Sequence, residues 1–338
     1  MLIESEFKPA VWLRNAHAQT VFASKMRPSP PLVVEPERME LDDGDFLDLS
    51  WLPECGLGAD APIVIVLHGL NGSLESKYAR GLMRQAHARG GRAVLLHFRG
   101  AAEPNRLPRS YHSGETGDLG TVIEHVRRRF PQAPLAAVGY SLGGNVLLKY
   151  LGEQGSASPL ACAAAVSVPY DLKRCAEAIQ HGLSRVYQAH MINGLRAAYD
   201  MKFSLIDTPS PRPDFRRLRT FPSFDNAVTA PLNGFKDAED YYARSSSGPF
   251  LKSIRTPTLA LHARDDPFMT PDIIPAPADL PSALRLEVSA HGGHVGFVAA
   301  GRFGKPVYWL EQRIPAFLSD HLPTLVPAAH ARRAQETG

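Results

Sequence analysis

The chain has 338 residues, of which 44% are hydrophobic and 21% charged, and its formal net charge is +3. This length suits one large α/β domain or two ordinary ones, and so small a net charge gives no support for nucleic acid or an anionic membrane as a partner. The three cysteines are widely spaced, which argues against a disulfide framework or a metal site. The N-terminus lacks a basic signal segment and no apolar run approaches the roughly 18 residues of a membrane span. We therefore expect a cytoplasmic protein.

The first 35 residues show neither a helical nor a strand period, so we expect an arm that lies over the domain. Two alternating runs then flank an Asp/Gly turn, at 38–41 and 46–51, and predict a β-hairpin. Beyond the hairpin, continuous β-branched runs typical of buried parallel strands alternate with helical segments. The strands are predicted at 62–67, 92–98, 135–138, 161–168, 258–262 and 284–288, and the helices at 76–89, 116–130, 145–151 and 306–319. This alternation predicts an α/β fold with a mostly parallel, doubly wound sheet and helices on both faces.

The alternation is lost between residues 170 and 250, where a helical patch at 176–199 is followed by proline-rich loops and scattered aromatic residues. An insertion of this size between two core strands predicts a helical cap over the carboxyl edge of the sheet. The predicted organisation is an N-terminal arm, a first core segment, a cap, a second core segment and a flexible tail, at 1–35, 36–169, 170–250, 251–322 and 323–338.

One motif carries the chemistry: Gly139-Tyr140-Ser141-Leu142-Gly143 has the form G-x-S-x-G and lies between a predicted strand and a predicted helix. That context is typical of a nucleophile elbow, a sharp turn that presents a serine to substrate. Glycines on both sides let the turn press against the next helix, where a Cβ would collide. The backbone amide of Leu142, at the start of the helix, would point toward a developing oxyanion.

A serine needs a base and the base needs an orienting acid, which in this type of fold follow the serine as acid and then histidine. His294 lies after the last predicted strand among glycines that permit close backbone approach, so it is favoured as the base, with His291 as the alternative. Asp265 and Asp266 both follow a late strand. The step from Asp266 to proline favours Asp266 as the acid and leaves Asp265 as a turn-capping side chain.

A second oxyanion donor is expected from the loop after the strand at 62–67. That loop reads His68-Gly69-Leu70, and the backbone amide of Leu70 would lie beside that of Leu142. The alternative is an ordinary strand-to-helix turn.

Further blocks run along nearly the whole chain, at 12–15 with His17 and 19–20, 68–73, 98–100, 103–116, 139–150, 262–269 and 291–297. Together they resemble the YheT-type α/β-hydrolases, a family of esterases that is similar to eukaryotic medium-chain ester synthases and lipid-active hydrolases. The resemblance implies an α/β-hydrolase fold with Ser141 as nucleophile, Asp266 as acid and His294 as base. In the 103–116 block no chemical role is evident for Arg106, Arg109 or His112, and a hydrogen-bonded structural loop is expected.

The predicted function is that of a serine carboxylesterase that acts on short- to medium-chain acyl esters through an acyl-enzyme. Its expected partner is a small-molecule ester with an apolar acyl chain; no metal or organic cofactor, no nucleic acid and no integral membrane association are expected, and the oligomeric state is left open. Two alternatives remain. One is an acyltransferase that passes the same acyl group to an alcohol, and the other is a non-catalytic binding protein of the same fold, against which the complete set of serine, aspartate and histidine argues.

Overall fold

The computed structural model describes residues 1–29, 31–54, 56–322 and 325. Apart from Leu325, the predicted flexible tail at 323–338 lies outside the described residues. Within these ranges the strands are β1 (Leu2–Glu4), β2 (Glu35–Glu40), β3 (Phe46–Trp51), β4 (Ile63–Leu67), β5 (Arg92–His97), β6 (Leu135–Tyr140), β7 (Cys162–Val166), β8 (Thr258–Ala263), β9 (Leu284–Ser289), β10 (Val298–Ala300) and β11 (Pro306–Tyr308).

Within the same ranges the α-helices are α1 (Ala16–Val21), α2 (Lys77–His87), α3 (Thr116–Arg129), α4 (Leu142–Gln154), α5 (Leu172–Ala178), α6 (Ser184–Lys202), α7 (Phe221–Phe224), α8 (Ala230–Leu232), α9 (Ala238–Ser245) and α10 (Leu310–His321). Short π-helical segments lie at Phe22–Met26 and Asp225–Thr229. Short 3₁₀ helices lie at Val11–Leu13, Gly155–Ala157, Gly248–Ser253, Pro271–Ile273, Pro277–Asp279 and Arg302–Gly304. In the described part of the chain, no helix is both long enough and apolar enough to cross a bilayer.

Nine strands form one sheet in the order β1-β9-β8-β7-β6-β4-β5-β3-β2. The pairs from β1 to β5 in this order are parallel, and only β3 with β5 and β2 with β3 are antiparallel. The predicted hairpin is therefore present as β2 and β3, and the predicted mostly parallel sheet is confirmed. Because parallel strands end at the same edge, the loops after β4, β6, β8 and β9 all meet at the carboxyl edge of the sheet.

Alternate residues of the central strands point to opposite faces of the sheet and are buried on both. On β4, Ile63 and Ile65 pack in the core formed with α3 and α4, whereas Val64 and Val66 pack in the core formed with α2 and α10. The neighbouring strand β6 is buried between the same two apolar layers, and the residue that follows β6 is Ser141.

Three predicted elements differ from the structure. The N-terminal arm begins with an edge strand, β1, which pairs in parallel with β9; three residues are too few to show a period in sequence. The residues Pro306–Tyr308, predicted as the start of the last helix, form β11 against β10, because valine and tyrosine favour strands and proline is tolerated at the first position of an edge strand; the helix begins at Leu310. The helical patch at 176–199 is divided between α5 and α6, with Gly182 at a φ of +54° between them.

Candidate active site

Ser141 occupies a strained turn between β6 and α4. Its backbone angles are φ 53° and ψ −118°, a combination that a residue with a Cβ rarely adopts. Its amide donates to the carbonyl of Val166 on the neighbouring strand at 2.8 Å, which helps to hold the turn in place. A strained serine at the carboxyl end of a central strand has the geometry of a nucleophile elbow.

The two glycines of the motif are required by close backbone contacts. A Cβ on Gly139 would collide with the carbonyl of Gly143 in the first turn of α4, and a Cβ on Gly143 would lie 2.5 Å from the carbonyl oxygen of His68. The turn can therefore be this tight only with glycine at both positions. The second contact also places the loop after β4 directly against the start of α4.

The Ser141 hydroxyl makes no hydrogen bond with any described residue. It faces open space, since Ser141 lies in the wall of two cavities. In sites without ligand, hydrogen bonds used in catalysis are often formed only when the substrate is bound.

His294 and Asp266 form a buried pair in the loops after β9 and β8. Nδ1 of His294 lies 2.8 Å from Oδ2 of Asp266, and Oδ1 of Asp266 accepts a hydrogen bond from the amide of Phe268 at 2.9 Å. The amide of His294 donates to Oγ1 of Thr20 at 2.9 Å, so the N-terminal segment also holds this loop. Because Nδ1 is engaged by the carboxylate, Nε2 is the ring nitrogen left to act on a neighbouring group.

The other acid and histidine considered from the sequence form a separate, more exposed pair. Nδ1 of His291 lies 3.2 Å from Oδ2 of Asp265, while Oδ1 of Asp265 accepts from the amide of Gly293 at 2.9 Å. The side chain of His291 is 48% exposed, against 9% for His294. Asp265 therefore stabilises the glycine turn that precedes His294, and Asp266 contacts the His294 ring itself.

Phe268 stacks on the His294 imidazole, a contact that sequence reasoning missed. The ring centroids are 4.0 Å apart and the planes differ by 15°. On its other side Phe268 contacts Tyr187 of α6, whose hydroxyl lies 3.2 Å from Nδ1 of His17 in α1. The His294 ring is thus held between the Asp266 carboxylate and an aromatic contact that reaches both the inserted helices and the N-terminal segment. No sequence signal links Phe268 to Tyr187, because nothing in the pattern of α6 indicates which of its faces meets the core.

The loop after β4 is held by a buried, neutral histidine. Burial lowers the pKa of His68 to about 4, so its Nε2 can accept from the amide of Phe98 at 3.3 Å while Nδ1 donates to the carbonyl of Gly69 at 2.7 Å. The amide of Gly69 donates to the Tyr78 hydroxyl at 2.8 Å. The amide of Leu70 has no partner within the described residues, and Leu70 and Leu142 lie in one cavity wall with Ser141.

The loop at 103–116 is a hydrogen-bonded structural loop, as expected. The guanidinium of Arg106 pairs with Glu40, that of Arg109 pairs with Glu115, and Asn105 donates to the backbone carbonyls of 107 and 109. Burial lowers the pKa of His112 to about 4. Three residues at its end, Tyr111, His112 and Ser113, also line a cavity beside Ser141, which the sequence did not indicate.

Asn145, on the first turn of α4, joins this loop to the end of the inserted helices. Its side-chain amide donates to the carbonyls of Ser113 and Ser245 at 2.8 and 2.7 Å, and its carbonyl oxygen accepts from the amide of Ser247 at 2.9 Å. The side chain is fully buried. The sequence pattern gave no signal for this role of Asn145, which lies in a helix predicted only from its apolar face.

Two cavities meet at Ser141. The first cavity, of about 130 Å³, lies under the inserted helices and the end of the 103–116 loop; its wall includes Leu142, Leu172, Ile179, Leu195 and Tyr242. The second cavity, of about 450 Å³, lies between the N-terminal segment and α6; its wall includes Lys25, Arg27, Tyr187, His190 and His294. Both walls share Leu70, Ser141, Met191 and Phe268.

Comparisons with known proteins identify the family. A family model described as alpha/beta hydrolase fold matches residues 62–300. The chain is 41% identical over 321 residues to "Putative esterase YheT" of Escherichia coli (strain K12), covering 94% of each chain. It is 30% identical over 305 residues to human "Phospholipase ABHD3", covering 88% of this chain and 75% of that protein. It is also 34% identical over 249 residues to "Monoacylglycerol lipase" of Saccharomyces cerevisiae, covering 70% of this chain and 55% of that protein.

Among solved structures, the Pyrococcus furiosus esterase Pf2001 matches with a TM-score of 0.53 at 15% sequence identity, over 87% of this chain and 98% of that one, which shows the fold alone. The resemblance to YheT drawn from the sequence blocks is confirmed, as is the predicted class of enzyme, ester hydrolase, which the names of the relatives share. The chain therefore belongs to the alpha/beta hydrolase fold family, and YheT is one of the relatives of this chain.

Proposed function

We propose that this protein is a serine carboxylesterase in which Ser141 is the nucleophile, His294 the general base and Asp266 the acid that orients the histidine. The observation that carries the proposal is the 2.8 Å contact between His294 Nδ1 and Asp266 Oδ2, with His294 lying in the same cavity wall as the strained Ser141. These are the groups that acyl transfer through a serine requires, on the loops where the fold presents them to a ligand.

In the first step Ser141 Oγ attacks the ester carbonyl carbon while His294 Nε2 accepts the hydroxyl proton. Asp266 is acceptor-only when ionised, so it fixes the imidazole with Nε2 toward the serine and stabilises the imidazolium that forms. The carbonyl oxygen becomes an oxyanion, for which we propose the backbone amides of Leu70 and Leu142 as donors. The first residue of a helix has no intrahelical partner for its amide, which suits Leu142 to this role.

The tetrahedral intermediate then expels the alcohol, which takes the proton from His294, and leaves the acyl group on Ser141 Oγ. Water completes the cycle by the same route in reverse, with His294 again accepting a proton. The aliphatic and aromatic wall of the first cavity supports a short- to medium-chain acyl group. The names of the relatives, an esterase, a phospholipase and a monoacylglycerol lipase, support a carboxylic ester as the bond that is cleaved.

Labelling with a fluorophosphonate probe tests the nucleophile. The native protein is expected to be labelled, and Ser141→Ala is expected to lose the label because it removes the hydroxyl that His294 activates. Ser110→Ala, in the structural loop, serves as a control that should label as the native protein does. Equal labelling of the native protein and Ser141→Ala, or no labelling of either, would contradict the proposal.

Acyl transfer to an alcohol would use the same acyl-enzyme and differs only in the acceptor. Measuring ethyl ester and free acid together in added ethanol separates the two reactions. Hydrolysis as the main activity predicts that free acid remains the larger product at low ethanol concentration.

A further inference from the structure

We propose that the two cavities that meet at Ser141 divide the ester between them: the first cavity binds the acyl portion, and the second cavity binds the alcohol portion and releases it. The inference rests on the proposed function and adds to it the location of each half of the substrate. It also states the class of alcohol that the second cavity fits.

The position of His294 determines which cavity binds the alcohol portion of the ester and which binds the acyl portion. The alkoxide that leaves must take its proton from His294 Nε2, so the alcohol oxygen has to lie on the histidine side of Ser141. His294, Val295 and Gly296 all line the second cavity, and none of them lines the first. The side of Ser141 away from the histidine is left for the acyl chain.

The first cavity has the chemistry of a hydrocarbon site. Leu172, Ile179 and Leu195 supply apolar surface. Five of its polar side chains bond to one another: Thr229 and Tyr242 donate to Asp225 at 2.6 and 2.7 Å, and the Tyr241 hydroxyl donates to Ser113 Oγ at 3.0 Å. An alcohol with hydroxyl or charged groups would have to break these bonds, whereas an alkyl chain would not.

The second cavity is larger and carries unbalanced positive charge. Its volume is about 450 Å³ against about 130 Å³ for the first. Within its wall the guanidinium of Arg27 pairs with Glu311, so these two charges cancel. The charge that remains in the wall is that of Lys25, which is exposed and whose side chain has no partner among the described residues. The cavity therefore fits an alcohol portion that is bulkier than the acyl chain and that carries a negative charge.

The bonds that form and break in the reaction agree with this assignment of the cavities. Ser141 Oγ bonds to the acyl carbon, the bond from that carbon to the alcohol oxygen breaks, and the proton that His294 took from Ser141 passes to the alcohol oxygen. The acyl chain stays in the first cavity throughout. The alcohol leaves through the second cavity, and the water that hydrolyses the acyl-enzyme enters from that side.

A matched pair of substitutions tests the role of each cavity separately. Leu195→Trp narrows the first cavity and Val21→Trp narrows the second, and both native residues are at least partly exposed to solvent, which favours folding of the variants. Acylation and deacylation rates are measured separately by stopped-flow and single-turnover assays, with one series of esters that varies the acyl chain and one that varies the alcohol. Active-site titration with the fluorophosphonate normalises each rate to competent protein, and Leu195→Phe and Val21→Phe provide smaller changes at the same positions.

We expect Val21→Trp to lower acylation by bulky-alcohol esters about tenfold or more and to change hydrolysis of the acyl-enzyme much less, because the alcohol has left by then. Leu195→Trp is expected to lower both rates for longer acyl chains and to be insensitive to the alcohol. The reverse pattern, or no dependence on either series, would overturn the assignment of the cavities. If no acyl-enzyme forms on Ser141 in the native protein, the proposed function itself fails, which is a distinguishable result.

The charge of the alcohol is tested with two esters that share one acyl group and differ only by a carboxylate on the alcohol. We expect Lys25→Glu to lower the ratio of kcat/KM for the anionic ester to that for the neutral ester about tenfold. The conservative variant Lys25→Arg should retain the native ratio. An unchanged ratio in Lys25→Glu would overturn the preference for an anionic alcohol.

Discussion

At the scale of single residues, neighbouring side chains of the same type have different contacts. Asp265 and Asp266 are adjacent in the chain, yet only Asp266 contacts the His294 ring, and Asp265 instead holds the Gly293 turn. The sequence could favour Asp266 from the proline that follows it. It could not show which of the two carboxylates contacts His294, because the directions of two adjacent side chains depend on the fold around them.

We predict that Asp266→Asn lowers kcat about 10⁴-fold, because an amide in place of the carboxylate can hold the imidazole in the wrong tautomer. Asp265→Asn is the matched control, with an expected loss of about tenfold or less. Both variants are assayed on one ester substrate after active-site titration. A larger loss in Asp265→Asn than in Asp266→Asn would transfer the orienting role to Asp265.

Phe268 is a positioning residue for His294. The stacked contact, with ring centroids 4.0 Å apart, restricts one face of the imidazole, while Asp266 holds the ring edge at Nδ1; small errors in the placement of a catalytic group are costly. We predict that Phe268→Leu lowers kcat about 10- to 100-fold, while Phe268→Tyr, which retains the ring, stays close to the native value. Comparing kcat with KM for the two variants checks this, because loss of substrate contact alone would raise KM and leave kcat in place. A native kcat in Phe268→Leu would refute the positioning role.

At the scale of elements, the inserted helices are joined to the core by a few buried polar contacts. Asn145 on α4 binds both the 103–116 loop and the segment that follows α9. The alternation of strands and helices in the core was predictable, because buried parallel strands are continuously apolar and helices follow them with a clear period. The contacts of the inserted segment were not, because its described helices other than α6 have eight residues or fewer, too few for a period that identifies their partners.

We predict that Asn145→Leu lowers the free energy of unfolding by about 3 kcal/mol, because two buried carbonyls and one buried amide lose their hydrogen bonds. The matched control is Gln154→Leu at the exposed end of the same helix, for which a change within about 0.5 kcal/mol is expected. Urea unfolding of the three proteins measures the difference. Equal stability of Asn145→Leu and the native protein would show that these bonds do not hold the segment.

Asp225 gives the inserted helices a pH-dependent stability. Burial raises the pKa of its carboxyl to about 6, above the ordinary value of 3.8. The folded state therefore binds the proton more tightly than the unfolded state, and the stability from this group is present below about pH 4 and is lost as the pH rises through about 6.

We predict that Asp225→Asn removes this dependence. The free energy of unfolding of the variant minus that of the native protein should become more positive by about 2 kcal/mol between pH 4 and pH 7. Chemical denaturation at several pH values measures the difference, and Glu239→Gln, whose side chain on α9 is 66% exposed, is the control. A difference that is independent of pH would contradict the buried, partly protonated state of Asp225.

At the scale of the whole molecule, one nine-stranded sheet brings the ends of β4, β6, β8 and β9 together at its carboxyl edge. Those ends carry Leu70, Ser141, Asp266 and His294, so residues far apart in the chain share one site. This arrangement was predictable from the sequence, because the glycines of the elbow are local to Ser141 and each of these residues follows a predicted parallel strand, whose carboxyl ends meet at one edge. The division into two cavities was not, since the N-terminal segment and α6 approach each other only through the tertiary fold.

The proposed mechanism requires that an acyl group be transferred to Ser141. Intact-mass spectrometry of the protein quenched during the burst phase with a chromogenic ester detects this transfer, with peptide mapping to locate the adduct. We expect a mass increase equal to one acyl group, located on Ser141 and absent from Ser141→Ala. Ester turnover with no adduct on Ser141, or with the adduct on another residue, would contradict it.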